Sequence, residues 1–252
     1  KGDLIRMIRT LIIVIAVIIY AVFSILFYLV QKLIGLFNKK LEDRITLAVM
    51  RCGFKGLLFL AGAKTEYKGE ENIPEDKPVL YVGKHRSGFD IVLTYSRIKR
   101  PTGFVSKKEW KKIPVLNMWM DLLHCLFMDR NDIKSGLKTI LDAIEMIKSG
   151  VSVFIFPEGT RNHGEGLLPF KEGSFKIAKK TDCPVIPVAI SGSDDLMEKH
   201  MPWIRGANVT VEYGKPVIYS ELSGEDQKFM AKYVQEQILE MLEKNGSGQG
   251  AG

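Results

Sequence analysis

The apolar and polar positions divide the chain into an N-terminal helical part and a longer part in which short apolar runs alternate with helical stretches. The first part contains residues 11–30, twenty positions without a charged side chain. As a helix at about 1.5 Å per residue, this run is about 30 Å long and matches the apolar thickness of a bilayer. It is longer than the apolar part of a cleaved signal peptide, and no small-residue cleavage site follows it. The pattern predicts a helix that persists in the mature protein and anchors it to a membrane.

A second helix is predicted directly after the first. Apolar residues recur at helical spacing between positions 47 and 61, whereas Arg44, Arg51 and Lys55 fall elsewhere on the helix surface. This basic, amphipathic character suits a membrane surface with anionic headgroups. A core helix packed on the following domain is the alternative. Because positive charge flanks the first apolar run on both sides, a full span and a hairpin lying in one leaflet both remain open.

From about Thr65 onward the pattern indicates an α/β domain. The predicted strands occupy residues 78–82, 103–106, 125–128, 152–156, 184–190 and 208–213. The predicted helices occupy residues 89–98, 115–123, 133–148, 174–180 and 225–244. We therefore expect anchoring helices over residues 1–62, an α/β domain over 63–245 and a flexible, Gly-rich tail over 246–252.

Composition and charge narrow the possible functions. The chain is 46% hydrophobic and 26% charged, which excludes a disordered protein. Its three cysteines are far apart and form no CxxC pair, so we expect neither a disulfide framework nor a cysteine-built zinc site. Residues 1–60 hold nine Lys and Arg against three Asp and Glu, and the remainder of the chain is almost neutral. A nucleic-acid-binding domain would carry its own basic face, so no nucleic acid partner is expected.

Candidate chemistry begins where the strand at 78–82 ends. His85 and Asp90 are five residues apart, which on one continuous helix would place them about 140° apart. Contact therefore requires His85 in the turn after the strand and Asp90 in the first turn of the helix. A carboxylate bonded to one imidazole nitrogen fixes the tautomer and leaves the other nitrogen free to accept a proton. The pair can act as a base toward a substrate hydroxyl; a surface histidine near a helix start is the alternative.

Basic residues recur at neighbouring strand ends. Arg161, Arg130 and Lys107 each follow a predicted strand. Because strand ends in an α/β sheet form a shared crevice for ligands, these side chains could reach the same substrate as His85. An arginine can hold a phosphate through two parallel hydrogen bonds. Taken singly, each could be a solvated charge or an ion pair, but their repeated placement favours an anion-binding site.

These residues belong to four blocks that resemble the membrane-bound glycerolipid acyltransferases, a family that includes the bacterial lysophosphatidic acid acyltransferases. The blocks are His85-x4-Asp90, Phe127-Met-Asp-Arg130, Phe156-Pro-Glu-Gly-Thr-Arg161 and Val185-Ile-Pro-Val188, in the family's order. The resemblance covers roughly residues 65–220, and its most specific string is the third block after an apolar strand. The chain departs from the family pattern at Lys84, His124 and Asn162, where Asn, Gly and Ser are frequent.

The resemblance implies a mixed sheet flanked by helices, as in glycerol-3-phosphate acyltransferases, preceded by N-terminal membrane-associated helices. It assigns His85 and Asp90 as base and orienter. The acceptor's glycerol phosphate would be bound by Lys107, Arg130, Glu158, Gly159, Thr160 and Arg161. The implied reaction moves a fatty acyl group from acyl-CoA or acyl carrier protein to the sn-2 hydroxyl of 1-acyl-glycerol 3-phosphate (lysophosphatidic acid), giving phosphatidic acid in phospholipid synthesis. It implies neither a cofactor nor a metal, and a catalytic domain on the cytoplasmic face of the membrane.

Two other functions remain open. A thioesterase or esterase could use the same His-Asp pair to activate water, although the arginines would then be unexplained. A non-catalytic lipid-binding membrane protein would need only the N-terminal helices. His163 is the alternative base, but it lacks a carboxylate at matched spacing and is interpreted as a loop residue.

Overall fold

A computed structural model of the chain describes residues 2–162, 164 and 166–248, so His163 lies outside the described residues. The strands are β1 (Lys64–Lys68), β2 (Leu80–Gly83), β3 (Thr102–Lys107), β4 (Leu126–Met128), β5 (Ser152–Ile155), β6 (Val185–Ser191) and β7 (Asn208–Tyr213). The helices are α1 (Gly2–Phe37), α2 (Lys39–Ala61), α3 (Phe89–Tyr95), α4 (Pro114–Leu122), α5 (Ile133–Lys148), α6 (Lys176–Thr181), α7 (Gly224–Lys228) and α8 (Met230–Gly248).

The strands form one mixed sheet in the order β1-β7-β6-β2-β5-β3-β4. The five strands from β6 to β4 are parallel to one another, β7 is antiparallel to β6, and β1 is parallel to β7. The mixed sheet flanked by helices is therefore confirmed. β1 was not predicted, because its sequence Lys64-Thr-Glu-Tyr-Lys68 is polar and largely exposed, as suits a strand at a sheet edge.

Alternating side chains of the central strands build a core on each face of the sheet. On β2, Tyr81 joins a cluster with α2, α3 and α4, whereas Leu80 and Val82 join a cluster with α5, α6 and α8. Tyr81 and Phe104 both stack on Phe154, with the centroids of the Phe104 and Phe154 rings 4.6 Å apart. These rings form a rigid apolar floor directly beneath the carboxyl ends of the parallel strands.

The two N-terminal helices form a hairpin that packs on the α/β domain through the buried face of α2 and along one stripe of α1. Asn38 breaks the helix between them and caps α2, since its side chain accepts a hydrogen bond from the Leu41 N–H at 3.0 Å. On the contact stripe, Trp119 of α4 donates its indole N–H to Ser24 Oγ at 2.7 Å and stacks on Phe27. The domain thus holds α1 through a buried, hydrogen-bonded contact.

The remainder of α1 is apolar and exposed. Asp3–Phe37 is long and apolar enough to cross a membrane by length and composition, with a mean hydropathy of 3.0 in its most apolar window. Only 11% of that window is buried, whereas the core helix of a soluble domain would be mostly buried. The exposed aliphatic and aromatic side chains therefore form a surface suited to lipid.

The C-terminal part differs from the prediction at two points. The single helix predicted over residues 225–244 is divided into α7 and α8 at Phe229. α8 continues to Gly248, into the segment predicted as a flexible tail, and residues 249–252 lie outside the described residues. Just before this segment, the Asn245 side chain bonds Lys68 of β1 at 3.1 Å and Glu212 of β7 at 2.8 Å and so joins α8 to the sheet.

A glycine in β3 tests how this part of the sheet is packed. An added Cβ at Gly103 would lie 2.1 Å from the carbonyl oxygen of His124, so Gly103→Ala must push β3 away from the start of β4. We expect a loss of about 1–3 kcal/mol in the free energy of unfolding, measured by denaturant titration. The matched control is Gly136→Ala in α5, where the nearest atom is 3.9 Å away and the higher helix propensity of Ala should be mildly stabilising. Equal stability of the two variants would contradict this packing.

Candidate active site

The predicted site residues lie at one edge of the sheet. The strands β2, β5, β3 and β4 are parallel, so their carboxyl ends meet at this edge. His85 follows β2, the segment 156–161 follows β5, Lys107 ends β3 and Arg130 follows β4. Topology therefore brings together residues that are up to 76 positions apart in the chain.

His85 and Asp90 form the expected hydrogen bond, with 2.9 Å between His85 Nδ1 and Asp90 Oδ2. His85 lies in the turn after β2, and Asp90 is the second residue of α3. The same carboxylate oxygen accepts the backbone N–H groups of Arg86 and Ser87, each at 2.8 Å. Asp90 is buried, so three donors hold a fixed negative charge against the imidazole. His85 Nε2 is then the nitrogen left to accept a proton.

The plane of the His85 ring is set by an aromatic neighbour. Phe156 stacks on the imidazole with 4.1 Å between ring centroids and an interplanar angle of 17°. Phe156 in turn contacts Phe154, which belongs to the floor beneath the site. The imidazole is therefore fixed by packing on one side and by a carboxylate at Nδ1, as a general base requires.

Glu158 holds two backbone segments together. Its Oε1 accepts the His85 N–H at 3.1 Å, and its Oε2 accepts the Leu168 N–H at 2.9 Å. The Asn162 N–H also donates to the His85 carbonyl at 2.8 Å. The resemblance assigned Glu158 to substrate binding; in this structure its carboxylate is buried and both oxygens accept backbone amides, so it holds the two loops in position.

Gly159 and Thr160 form the tip of the same loop. Gly159 has φ 74°, in the left-handed region that favours glycine, and an added Cβ would lie 2.7 Å from Lys171 Nζ. Thr160 is exposed. The tight turn directs Arg161 back toward the His85 loop. Lys171, which lies against Gly159, was not predicted from the sequence because it is outside the four blocks.

Arginine side chains supply the positive charge of the crevice. Arg161 is 44% exposed, and its Nη1 lies 3.5 Å from a carboxylate oxygen of Glu198. Partial burial lowers the pKa of the Arg130 guanidinium, and the nearby charge of Arg161 lowers it further. Lys107 Nζ lies 3.6 Å from Glu109. These basic side chains give the crevice a positive charge, which favours an anionic ligand.

The segment after β6 contributes acidic residues that sequence reasoning missed. Glu198 accepts the Ser87 hydroxyl at 2.6 Å and the Gly88 N–H at 2.8 Å, and its side chain is only 5% exposed. Asp194 forms an ion pair with Arg86 at 3.1 Å. Both carboxylates hold the loop between His85 and Asp90. No periodicity or motif marks them, since they lie in short 3-10 turns outside the four blocks.

The three departures from the family pattern have local structural roles. His124 has φ 55°, a conformation natural to glycine, and its ring bonds Asp43 of α2 at 2.8 Å. Asn162 accepts the Gly164 N–H at 2.9 Å and so closes the loop after Arg161. Lys84 is buried, which lowers the pKa of its ammonium group, and the charge of Arg86 adds to the lowering.

The arrangement provides an oriented histidine at the strand edge that also holds Arg130 and Arg161, above an aromatic floor. Within the described part of the chain, no group of three His, Cys, Asp or Glu side chains is placed to hold a metal ion. The chemistry that these side chains themselves support is removal of a proton from a hydroxyl of an anionic substrate.

Known proteins are similar to this chain in sequence and architecture. Residues 64–191 match the family model described as Acyltransferase. The 1-acyl-sn-glycerol-3-phosphate acyltransferase of Borreliella burgdorferi is 30% identical over 200 residues, which are 79% of this chain and 80% of that protein. The enzyme of the same name from Escherichia coli is 28% identical over 90% of this chain and 93% of its own length.

The likeness extends to a solved structure. The crystal structure of the 1-acyl-sn-glycerophosphate (LPA) acyltransferase, PlsC, from Thermotoga maritima superposes with a TM-score of 0.84 at 28% identity. The match covers 98% of each chain and therefore includes the N-terminal helical hairpin. The matched family segment contains His85, Asp90, Arg130 and Arg161. On sequence, fold and the residues of the site, this chain belongs to the acyltransferase family.

Proposed function

We propose that the protein transfers a fatty acyl group from a thioester donor to the sn-2 hydroxyl of 1-acyl-glycerol 3-phosphate and so forms phosphatidic acid. The donor is acyl-CoA or acyl carrier protein loaded with an acyl chain. The observation that carries the proposal is the His85–Asp90 hydrogen bond at the strand edge that also holds Arg161 and Arg130. The names of the relatives support this acceptor.

His85 acts as the base in this reaction. Its Nε2 takes the proton of the sn-2 hydroxyl, while Nδ1–H donates to Asp90, whose charge stabilises the imidazolium. The hydroxyl oxygen forms a bond to the thioester carbonyl carbon, and the carbon–sulfur bond then breaks. The leaving thiolate takes the proton back from the imidazolium, so the products are phosphatidic acid and a free thiol. The substrate hydroxyl supplies the nucleophile, and no enzyme-bound acyl group is needed.

Arg161 and Arg130, with Lys107, bind the acceptor's phosphate. The contact of Arg161 with Glu198 is long, at 3.5 Å, and the Arg161 side chain is partly exposed, so a phosphate oxygen can reach it. The sn-2 hydroxyl is on the carbon next to the one that carries the phosphate. Binding the phosphate therefore brings this hydroxyl close to His85, and this positioning contributes to the rate. A thioesterase would leave this cationic group without a role, and product analysis distinguishes the two reactions.

The exposed face of α1 suits an enzyme whose acceptor resides in a membrane. Removing lysophosphatidic acid from the bilayer costs roughly 0.8 kcal/mol per methylene, and an enzyme that works at the surface avoids this cost. α1 has 36 residues, about 54 Å of helix, and it turns back into α2 at Asn38. We infer that the hairpin holds the His85 crevice at headgroup depth on the cytoplasmic face, where acyl thioesters are available.

The first kinetic prediction concerns the base and its orienter. His85→Ala removes the proton acceptor and should lower kcat by about 10²–10⁴ or more. Asp90→Asn should lower kcat less, because the Arg86 and Ser87 amides will hold the amide oxygen at the Oδ2 position, where it still accepts His85 Nδ1–H but carries no charge. Steady-state assays with both substrates check this, and thermal unfolding checks that both variants fold. More than a tenth of wild-type kcat in His85→Ala would exclude His85 as the base.

Arg161→Lys tests acceptor binding. The lysine keeps the charge but loses the planar pair of donors, so the KM for lysophosphatidic acid should rise about tenfold while the KM for the donor changes little. Arg44→Lys, an exposed arginine on α2, is the matched control and should leave both constants unchanged. Equal weakening toward donor and acceptor would contradict the assignment of Arg161 to the phosphate.

The lipid-facing surface of α1 is tested by substitution, because deletion would also remove Ser24 from its contact with Trp119. Phe23 and Leu26 are 70% and 66% exposed, and a buried Asp costs about 2.5–3.5 kcal/mol at the centre of a membrane helix. Phe23→Asp/Leu26→Asp should lower activity on vesicles more than tenfold and retain activity on a short-chain, water-soluble acceptor. Phe229→Asp, an exposed position before α8, is the control. Wild-type activity of the double variant on vesicles would show that this face does not contact lipid.

A further inference from the structure

A second cationic cleft lies at the N-terminal end of α1, apart from the catalytic crevice. It has a volume of about 630 Å³ and is open to solvent. Its basic residues are Arg6 and Arg9 of α1, Lys64 at the start of β1 and Arg205 in the segment before β7, and Asp195 is its acidic residue. A volume of this size accommodates the polar headgroup of a phospholipid with room for water.

The cleft is on the same edge of the sheet as the catalytic crevice. β1 and β7 run opposite to β2, so their first residues, Lys64 and Asn208, lie at the edge where β2 ends. Strands β7 and β6 separate β1 from β2, at about 4.8 Å per strand. Asp195, next to the Asp194 that pairs with Arg86, borders the cleft on the catalytic side.

The positive charge of the cleft is largely unneutralised. Arg6 pairs with Asp3 at 3.2 Å, and Asp195 already pairs with Lys199 at 3.1 Å. Across the ranges described above, Arg9, Lys64 and Arg205 form no ion pair with a carboxylate. The Arg205 guanidinium lies 3.4 Å from a ring nitrogen of His200. Cations brought together without counter-charges repel one another, and a bound anion relieves that repulsion.

The guanidinium of Arg9 packs against two glycines in the wall of the cleft. Added Cβ atoms at Gly62 and Gly206 would lie 3.0 Å and 3.1 Å from its terminal nitrogens. Gly62 has φ 70° and ends α2, so its conformation also requires glycine. The planar donor group is thereby placed against the backbone of two segments, and its position is set by the fold.

Exposed aliphatic side chains surround this cationic group. Ile5 lines the cleft and is 59% exposed, and Leu4 and Ile8 on the same turns of α1 are also exposed. Such an arrangement offers hydrogen-bond donors to an anion and an apolar surface to chains attached to it. A free anion would use only the first of these two features.

We propose that this cleft binds the phosphate headgroup of an anionic membrane phospholipid that is not a substrate, with its acyl chains along the exposed face of α1. The contact would fix the N-terminal end of α1 and the segment before β7 at the depth of the headgroups. The site is separate from the acceptor site, because none of its lining residues is among those predicted to bind the acceptor. Inorganic phosphate and glycerol 3-phosphate present a phosphate group without acyl chains.

The test measures binding of dihexanoylphosphatidylglycerol to the full chain in neutral detergent micelles by isothermal titration calorimetry. All proteins carry Arg161→Gln, which disables the acceptor site. Lys64→Gln/Arg205→Gln should weaken binding at least tenfold, since each basic side chain near a headgroup contributes about fivefold. The matched control, Lys77→Gln/Lys215→Gln, removes two exposed charges at the opposite edge of the sheet and should bind as the parent does.

Two outcomes would overturn the proposal. Equal weakening in both double variants would mean that the lipid responds to the general surface charge of the protein. Displacement of the lipid by glycerol 3-phosphate or inorganic phosphate at equal concentration would mean that the ligand is a free anion. Thermal unfolding of each variant establishes that it is folded before binding is measured. Because the titration contains no acyl donor, the result does not depend on the acyl transfer reaction.

Discussion

The site depends on the hydrogen bonds that the carboxylate of Asp90 accepts. One of its oxygens accepts from His85 Nδ1 and from the backbone N–H groups of Arg86 and Ser87, so a single buried charge shapes the turn and orients the base. Burying a carboxylate is costly unless it is hydrogen-bonded, and here the donors come from the loop that the carboxylate organises. The fold of the turn and the chemistry of the histidine therefore have the same physical cause.

Two other carboxylates, those of Glu158 and Glu198, join loops that follow different strands. Glu158 links the backbone after β2 to the backbone after β5, and Glu198 links the turn after β2 to the segment after β6. Glu198 also reaches Arg161, so the His85 loop and Arg161 are positioned relative to each other through one carboxylate. Both carboxylates are bonded to the protein's own amides or cations, and these contacts compensate their negative charge. They are therefore compatible with an anionic substrate in the same crevice.

The sequence was sufficient for the central strands and for the His85–Asp90 pair, because continuous apolar runs and a motif at fixed spacing are local signals. It was not sufficient where the determinant is non-local. β1 is polar and becomes a strand only by pairing with β7, and Glu198 acquires its role only when β6 brings its segment beside α3. For Glu158 the motif identified an important residue, but the direction of its side chain, toward two amides, depends on the folded loop.

The position of the N-terminal hairpin depends on two surroundings, water and lipid, which favour different faces of α1. Ser24 accepts the Trp119 indole N–H in a buried contact, whereas the exposed side chains of α1 between residues 11 and 30 are aliphatic or aromatic. Exposing the apolar face of this helix to water is unfavourable. Moving the helix deep into lipid is also unfavourable, because the polar α/β domain packed against it would enter the bilayer too. Both demands are met when the domain rests at the bilayer surface with α1 in contact with lipid. Under the proposed function, this arrangement brings the strand edge close to the membrane boundary, where a lipid acceptor and a water-soluble thioester meet at His85.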